Sequence, residues 1–179
     1  RELFEFHFVQ SDPNFANYLL LPDGRIGLID LGAGYDAPPW LCRAYADLFR
    51  ASMAEDRDAL RAVATRIGFL EHDDDPADAD AILDLVLLAT EPFRCEGSYD
   101  FGRSDLAARA RAKSTELVVR HGFWRPPPAP TLFLQRKRGG TFLLCVRLKA
   151  RVDARALVES VLEELHVGSE LPEAVGEPA

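Results

Sequence analysis

Three oxygen-bearing side chains near the start of the chain have types and spacing suited to chemistry on phosphate groups. Asp12 and Asn17 lie within the run Gln-Ser-Asp-Pro-Asn-Phe-Ala-Asn, and Asp30 follows within Ile-Asp-Leu-Gly. In a phosphoryl-transfer centre, a carboxylate faces the accepting hydroxyl or water, while oxygen ligands hold Mg²⁺ against the phosphates. Magnesium takes one or two such ligands from protein and leaves the others to water and phosphate. We therefore predict that Asp12 is the catalytic carboxylate and that Asn17 and Asp30 are metal ligands.

Two short apolar runs should position these side chains. Residues 18–21 and 25–29 predict two strands, and the Pro-Asp-Gly run between them predicts a hairpin turn. Pro presets φ in such a turn, and Gly accepts a positive φ. The hairpin would bring Asn17 and Asp30 to neighbouring strand ends. The apolar run that precedes Asp12 is too short for its period to decide between the end of a buried helix and a short strand.

Each half of this pattern also has a purely structural explanation. Asp-Pro-Asn is a common turn, and Asp30 alone would serve as a strand-end residue that accepts a hydrogen bond from a backbone amide. The two halves in this order, with a hairpin-like sequence between them, favour phosphotransferase chemistry as the hypothesis.

Composition places the chain among ordinary globular proteins. Its 179 residues correspond to about one domain. Of these residues 47% are hydrophobic and 28% are charged, as in ordinary soluble proteins. Its net charge of −8 argues against nucleic acid as a partner, because phosphate backbones require clustered Lys and Arg. No apolar run approaches the roughly 18 residues that cross a bilayer. The three cysteines fit neither a disulfide framework nor a zinc site, and we expect them to be small core residues.

After Pro39 the apolar period becomes helical, so we predict an α+β fold that is mostly α, with one hairpin followed by a helical body. Gly68 should end the second helix, and Asp78 or Asp80 should cap the third. We expect an irregular link over residues 92–102, and a disordered tail over 167–179 that is rich in Glu, Pro and Gly. The remaining predicted helices are Leu106–His121, which Gly122 would end, and one that carries Leu157, Val161, Leu162 and Leu165.

A basic run, Arg-Lys-Arg-Gly-Gly at residues 136–140, has three open interpretations. One is a solvated helix face that the glycines interrupt. The run would equally serve as an anchor for acidic residues near the site, or as a contact for anionic lipid head groups. The four histidines share no spacing, so the sequence does not predict a histidine metal cluster.

The residues quoted above resemble the UbiB (aarF-domain) family of atypical kinases, and specifically its coenzyme Q branch. That family typically has Gln-Thr-Asp-Pro-Asn-Trp-x-Asn, followed after a hairpin by Asp-Phe-Gly-Ala. The block Leu-Gln-Arg-Lys-Arg-Gly-Gly-Thr-Phe at residues 134–142 is similar to the family's Leu-His-Arg-Lys-x-Gly-Gly-x-Phe, and is the more specific match. The resemblance covers residues 1 to 166. The chain departs from the family at Ser11, Phe15, Leu31 and Gln135, none of which is a metal ligand.

The resemblance implies the C-terminal lobe of a protein-kinase-like fold over residues 1–166, with the nucleotide-clamping lobe missing before Arg1. It assigns Asp12 to the catalytic loop, and Asn17 and Asp30 to the metal, with ATP and Mg²⁺ as cofactors. The implied activity is Mg²⁺-dependent phosphoryl transfer or ATP hydrolysis that supports ubiquinone biosynthesis. A lipid or membrane surface and the enzymes of that pathway are the implied partners.

The implied location is cytoplasmic and peripheral at the inner membrane, or mitochondrial in a eukaryote. Because the chain begins with Arg1 rather than Met, we expect it to be a piece of a longer protein that is inactive by itself. Two alternatives remain: a small-molecule phosphotransferase of the aminoglycoside or choline kinase type, and a non-catalytic scaffold that senses nucleotide or lipid.

Overall fold

A computed structural model describes residues 1–121 and 126–168, and most of these residues are helical. The helices are α1 Pro39–Met53, α2 Arg57–Ile67, α3 Pro76–Ala89, α4 Glu91–Arg94, α5 Leu106–His121, α6 Leu132–Arg147 and α7 Ala154–Gly168. The strands are β1 Phe8–Gln10, β2 Tyr18–Leu20, β3 Ile26–Leu28, β4 Gly34–Asp36, β5 Tyr99–Asp100 and β6 Arg151–Val152. The strands form antiparallel pairs, β1 with β4, β2 with β3 and β5 with β6. The predicted class, α+β with mostly α, is confirmed.

The first 36 residues form a hairpin that is interrupted in its middle. At its tip, β2 pairs with β3, and the turn between them has Gly24 at φ +83°, as the Pro-Asp-Gly run predicts. At its base, β1 pairs with β4, with Gln10 opposite Gly34. The apolar run before Asp12 therefore ends as a strand. Two loops, residues 11–17 and 29–33, separate the two ladders and face each other across the hairpin.

Gly34 has no side chain where the base ladder leaves no room for one. A Cβ atom at this position would lie 2.1 Å from Cζ of Phe8 on the paired strand. Glycine at this position thus lets the chain pair with β1 again, as β4.

The helices provide the core on which the interrupted hairpin lies. Leu41 and Leu48 of α1, Leu60 of α2 and Leu83 of α3 are almost completely buried and belong to one cluster. Val9 of β1 is 2% exposed and packs into the same cluster. Removal of this apolar surface from water stabilises the helical body and the base of the hairpin together.

The predicted end of α2 and the predicted start of α3 can be compared with the structure. Gly68 adopts φ +92° and ends α2, as predicted. The third helix, however, begins at Pro76, and Asp75 caps it by accepting a hydrogen bond from the amide of Ala77. The predicted caps Asp78 and Asp80 were wrong because Pro is favoured at the first helical position, where its missing N–H is not needed.

Two further expectations are corrected. Residues 92–102 are not wholly irregular, because α4 ends at Arg94 and β5 pairs with β6. Helix α6 continues through Gly139 and Gly140 without a break. The predicted helix Leu106–His121 is confirmed, whereas Gly122 and the predicted tail beyond residue 168 lie outside the described residues.

Candidate functional site

The two loops of the interrupted hairpin are joined at both of their ends. At the base, the amide and the hydroxyl of Ser11 both donate to the carbonyl of Ala33, at 3.0 and 2.8 Å. At the tip, the amide of Ile29 donates to the carbonyl of Asn17 at 3.1 Å. Ser11 is 1% exposed and Asn17 is 7% exposed, so these two residues are largely shielded from water. The ladders and these bonds together hold the loops that carry Asp12 and Asp30 against each other.

Asp12 and Asn17 are in direct contact. Nδ2 of Asn17 donates to Oδ2 of Asp12 at 3.1 Å, and Nε2 of Gln10 donates to the Asp12 carbonyl at 2.7 Å. A short 3-10 turn, Phe15–Asn17, makes this contact possible, and Asn14 caps it by accepting from the amide of Ala16. No described group donates to Oδ1 of Asn17, so this carbonyl oxygen is available as a ligand.

Asp30 lies on the facing loop and is exposed. Its Oδ1 accepts a hydrogen bond from the amide of Gly32 at 2.8 Å, which is the structural role that a strand-end Asp commonly has. No hydrogen bond between its side chain and Asp12 or Asn17 is formed in this structure. The fold thus brings Asp12 and Asn17 together, and places Asp30 one residue beyond the bond from Ile29 to Asn17.

The donor atoms of the two loops fit a hard cation. Carboxylate and amide oxygens are the ligands that Mg²⁺ prefers, and it needs only one or two of them from protein. Within residues 1–121 and 126–168, no group of three or more His, Cys, Asp or Glu side chains is arranged to hold a metal ion. A metal bound here would therefore depend on water and phosphate for its other ligands, and the assignment of Asn17 and Asp30 stays a prediction.

Helix α6 packs its basic run against the loop that carries Asp12. Nη2 of Arg136 lies 3.4 Å from Oδ1 of Asp12, although 124 residues separate them in the chain. Nζ of Lys137 lies 3.1 Å from Oε1 of Glu2 and 3.3 Å from the hydroxyl of Tyr18. Of the three interpretations of this basic run, the structure supports the second, in which the run anchors acidic residues near the site.

The glycine pair of α6 has a steric role at one of its two positions. A Cβ atom on Gly140 would lie 2.0 Å from Cγ of Pro13, whereas nothing lies within 4 Å of a Cβ on Gly139. Two turns further along this face, the guanidinium of Arg147 lies over the ring of Phe15, 5.6 Å from its centroid. Helix α6 therefore contacts the loop through charge at Asp12, through shape at Pro13 and through an aromatic face at Phe15.

Comparisons with known proteins point to the same relatives. Residues 1–64 match the model of the ABC1 atypical kinase-like domain. The chain is 37% identical over 160 residues to the rat protein named atypical kinase COQ8B, mitochondrial. This match covers 89% of this chain and 30% of the rat protein. The predicted resemblance to the UbiB family is confirmed.

Two fungal relatives also match over most of the chain. The proteins named atypical kinase COQ8, mitochondrial, of Schizosaccharomyces pombe and Saccharomyces cerevisiae are both 31% identical to it, over 166 and 163 residues. These matches cover 91% and 89% of this chain, but 27% and 32% of the fungal proteins. The chain thus spans about a third of the length of the relatives it matches. No helix among the described residues is long and apolar enough to cross a membrane.

The sequence analysis missed some residues of this site. Glu2 connects the loop of Asp12 to α6, because one carboxylate oxygen binds Lys137 and the other accepts from the amide of Gln10 at 2.9 Å. No motif marks Glu2, since its role depends on a helix 135 residues away. Leu31, which stands where the family has Phe, is 54% exposed and does not pack behind Asp30 as a buried residue would.

Proposed function

We propose that residues 1–166 form the C-terminal lobe of a kinase-like domain that carries out Mg²⁺-ATP-dependent phosphoryl transfer or ATP hydrolysis in support of coenzyme Q biosynthesis. The observation that carries the proposal is the contact between Asn17 and Asp12 inside an interrupted hairpin that has Asp30 on the facing loop. The names of the relatives, each an atypical kinase, support the same reaction class. The assignment to coenzyme Q biosynthesis rests on the family resemblance.

In this proposal the side chains have separate roles. Asp12 orients the accepting hydroxyl or water and takes its proton, since its carboxylate is partly exposed and accepts a hydrogen bond from Asn17, while Gln10 binds its backbone carbonyl. The carbonyl oxygen of Asn17 and the carboxylate of Asp30 would hold Mg²⁺, which would neutralise charge on the phosphates. Arg136 keeps Asp12 in place and offsets its negative charge beside the incoming phosphates.

An exposed apolar surface supports the proposal that a second lobe covers the hairpin. Its members share a position in the hairpin or in the loop after it, and are at least 46% exposed: Leu19, Leu20, Ile26, Ile29 and Leu31. Contiguous exposed apolar groups on a globular protein mark interaction sites. The lobe that binds the nucleotide in a kinase-like domain would bury them and complete the site.

The test uses a chimaera in which the part of the rat relative that precedes the match is joined to Arg1. We expect this protein to bind Mg²⁺-ATP and to release or transfer phosphate, and the 179-residue chain alone to bind nucleotide weakly. Asp30→Asn should weaken Mg²⁺-dependent ATP binding, measured by titration calorimetry, whereas Asp36→Asn, an exposed carboxylate at the end of β4, should not.

The possible results separate the alternatives. Equal Mg²⁺-ATP affinity in the chimaera and its Asp30→Asn variant would overturn the metal assignment. Binding of Mg²⁺-ATP without hydrolysis or transfer, unchanged by Asp12→Ala, would favour the non-catalytic scaffold. Phosphorylation of choline or an aminoglycoside in a substrate screen would favour the small-molecule phosphotransferase.

A further inference from the structure

A second concave site lies among the helices, away from the interrupted hairpin. It is a cavity of about 260 Å³ between α1, α3, α5, α6 and the three prolines at 126–128. Most of its lining is apolar, including Leu48, Ile82, Leu85, Val86 and Leu117. This volume is close to the lower end of the roughly 300–1,000 Å³ that small-molecule sites occupy, and such sites combine apolar walls with a few polar groups.

Four residues bring polar side-chain groups to this cavity, and two of them are already engaged. The hydroxyl of Ser114 donates to the carbonyl of Ala110 at 2.8 Å, and Nε2 of Gln135 donates to Oγ1 of Thr131 at 3.1 Å. The other two, Tyr45 and Arg138, form no hydrogen bond or ion pair in the described part of the chain. A guanidinium and a phenol thus line the same apolar cavity with free donors.

Arg138 brings a positive charge to this cavity. Arg138 is accessible to solvent, yet the protein around its guanidinium lowers its pKa through desolvation. Guanidinium groups stay protonated in proteins, so the cavity contains a positive charge without a counter-ion among the described residues. Desolvation also raises the pKa of Tyr45 to about 12, so its hydroxyl remains a neutral donor. Both groups favour an anionic oxygen as their partner.

We propose that this cavity binds a small amphiphile that has one anionic oxygen head group, a carboxylate or a phosphate monoester, and a short apolar tail. Arg138 would hold the head group through its planar fork, which matches both anions, and Tyr45 would add a further donor. The tail would lie along the walls that α3 and α5 provide. This site is independent of the proposed phosphoryl-transfer function, because it shares no residue with the loops of Asp12 and Asp30.

The basic run on α6 provides a matched control. Arg136 and Arg138 are two residues apart on the same helix, but Arg136 contacts Asp12 while Arg138 lines the cavity. Loss of either charge changes the net charge of the chain equally. Only loss of Arg138 removes the proposed partner of the ligand head group.

The experiment is titration calorimetry of the 179-residue chain with octanoate, octyl phosphate, 1-octanol and acetate. We expect one of the two anionic amphiphiles, or both, to bind more tightly than octanol, which has the same tail length without the charge, and acetate not to bind. Arg138→Gln should weaken binding of the anionic ligand by at least about tenfold and leave octanol binding unchanged. Arg136→Gln should bind it as the wild type does.

A second variant tests the cavity without changing its charge. Ala89→Phe places a large side chain in the wall of the cavity and should abolish binding of octanoate, octyl phosphate and octanol alike. Far-ultraviolet circular dichroism would verify that each variant keeps its helices, and Ala89→Phe decides the question if Arg138→Gln does not fold. Equal binding of the amphiphiles by wild type and Ala89→Phe, equal affinity for the anions and octanol, or no binding at all would overturn the proposal.

Discussion

In the proposed site, Asn17 has two roles through the two ends of one amide. Its N–H donates to Asp12, and its carbonyl oxygen, to which no described group donates, is the proposed metal ligand. An aspartate at this position could supply the oxygen but not the donor, and an alanine could supply neither. The neutral amide therefore suits a position that must contact a carboxylate and bind a cation at the same time.

Replacement of Asn17 by alanine should weaken metal binding strongly while it lowers the stability of the fold only slightly. We expect the free energy of unfolding to fall by about 1 kcal/mol, since two partly buried hydrogen bonds are lost, one of 3.1 Å to the carboxylate of Asp12 and a longer one of 3.4 Å to its carbonyl. In the chimaera, binding of Mn²⁺ as a probe for Mg²⁺, followed by electron paramagnetic resonance with ATP present, should weaken strongly. Unchanged Mn²⁺ affinity in this variant would remove Asn17 from the metal site.

Helix α6 supports the loop that carries Asp12, and Gly140 permits the close approach. The helix tolerates two glycines in its middle, although glycine weakens a helix interior by roughly 0.5–1 kcal/mol relative to alanine. At Gly140 this cost is offset by the contact with Pro13, which no larger residue could make. At Gly139 the structure shows no such contact.

Gly140→Ala and Gly139→Ala should therefore have opposite effects. We expect Gly140→Ala to destabilise the protein by about 1–3 kcal/mol, because the added methyl group overlaps the ring of Pro13. Gly139→Ala should stabilise the protein by up to about 1 kcal/mol, because it only raises helix propensity. Urea unfolding of the two variants beside the wild type measures both values. Equal stability of the two variants would show that α6 does not rely on this contact.

The start of α3 offers a second prediction at the level of elements. Asp75→Ala should lower the free energy of unfolding by about 1 kcal/mol, because the amide of Ala77 loses its acceptor. Asp73→Ala, two residues earlier in an exposed position, should change it by less than about 0.5 kcal/mol. Thermal unfolding followed at 222 nm compares the two. A larger effect at Asp73 would contradict the observed helix start.

At the scale of the whole molecule, Asp84 connects three helices. Its carboxylate oxygens lie 2.8 Å from Nη1 of Arg57 on α2 and 2.9 Å from Nζ of Lys113 on α5. Burial raises the pKa of Asp84, but the hydrogen bonds from these two cations outweigh burial and hold the pKa below its ordinary value of 3.8. The folded state therefore binds this proton less readily than the unfolded state does.

This shift predicts how stability depends on pH. A carboxyl with a lowered pKa contributes stability that is fully present above its unfolded pKa and is lost as pH falls through its folded pKa. Since Asp84 is partly exposed, we expect Asp84→Asn to cost below about 1 kcal/mol at pH 7. The difference from wild type should shrink as the pH falls below about 4. Urea unfolding across this range measures it, with Asp36→Asn as an exposed control. A difference that grows on acidification would contradict the assignment.

Local signals in the sequence predicted the parts of the molecule that local physics governs. The turn at Gly24, the end of α2 at Gly68 and the helix Leu106–His121 follow from conformational preference and apolar period, which act within a few residues. The contact of Asp12 with Asn17 belongs to this class as well, because a single short turn joins them. The start of α3 was misplaced since several Asp residues competed for one capping position.

The amino-acid sequence alone predicts a mostly helical α+β chain, with a hairpin that carries Asp12, Asn17 and Asp30 and a resemblance to atypical kinases. It does not show that the basic run of α6 supports the loop of Asp12, or that Arg136 and Arg138 face different sites, since both follow from how the helices pack. The physical reason is distance along the chain. A contact across more than a hundred residues depends on how the helices pack, and packing is a property of the whole core rather than of any local run.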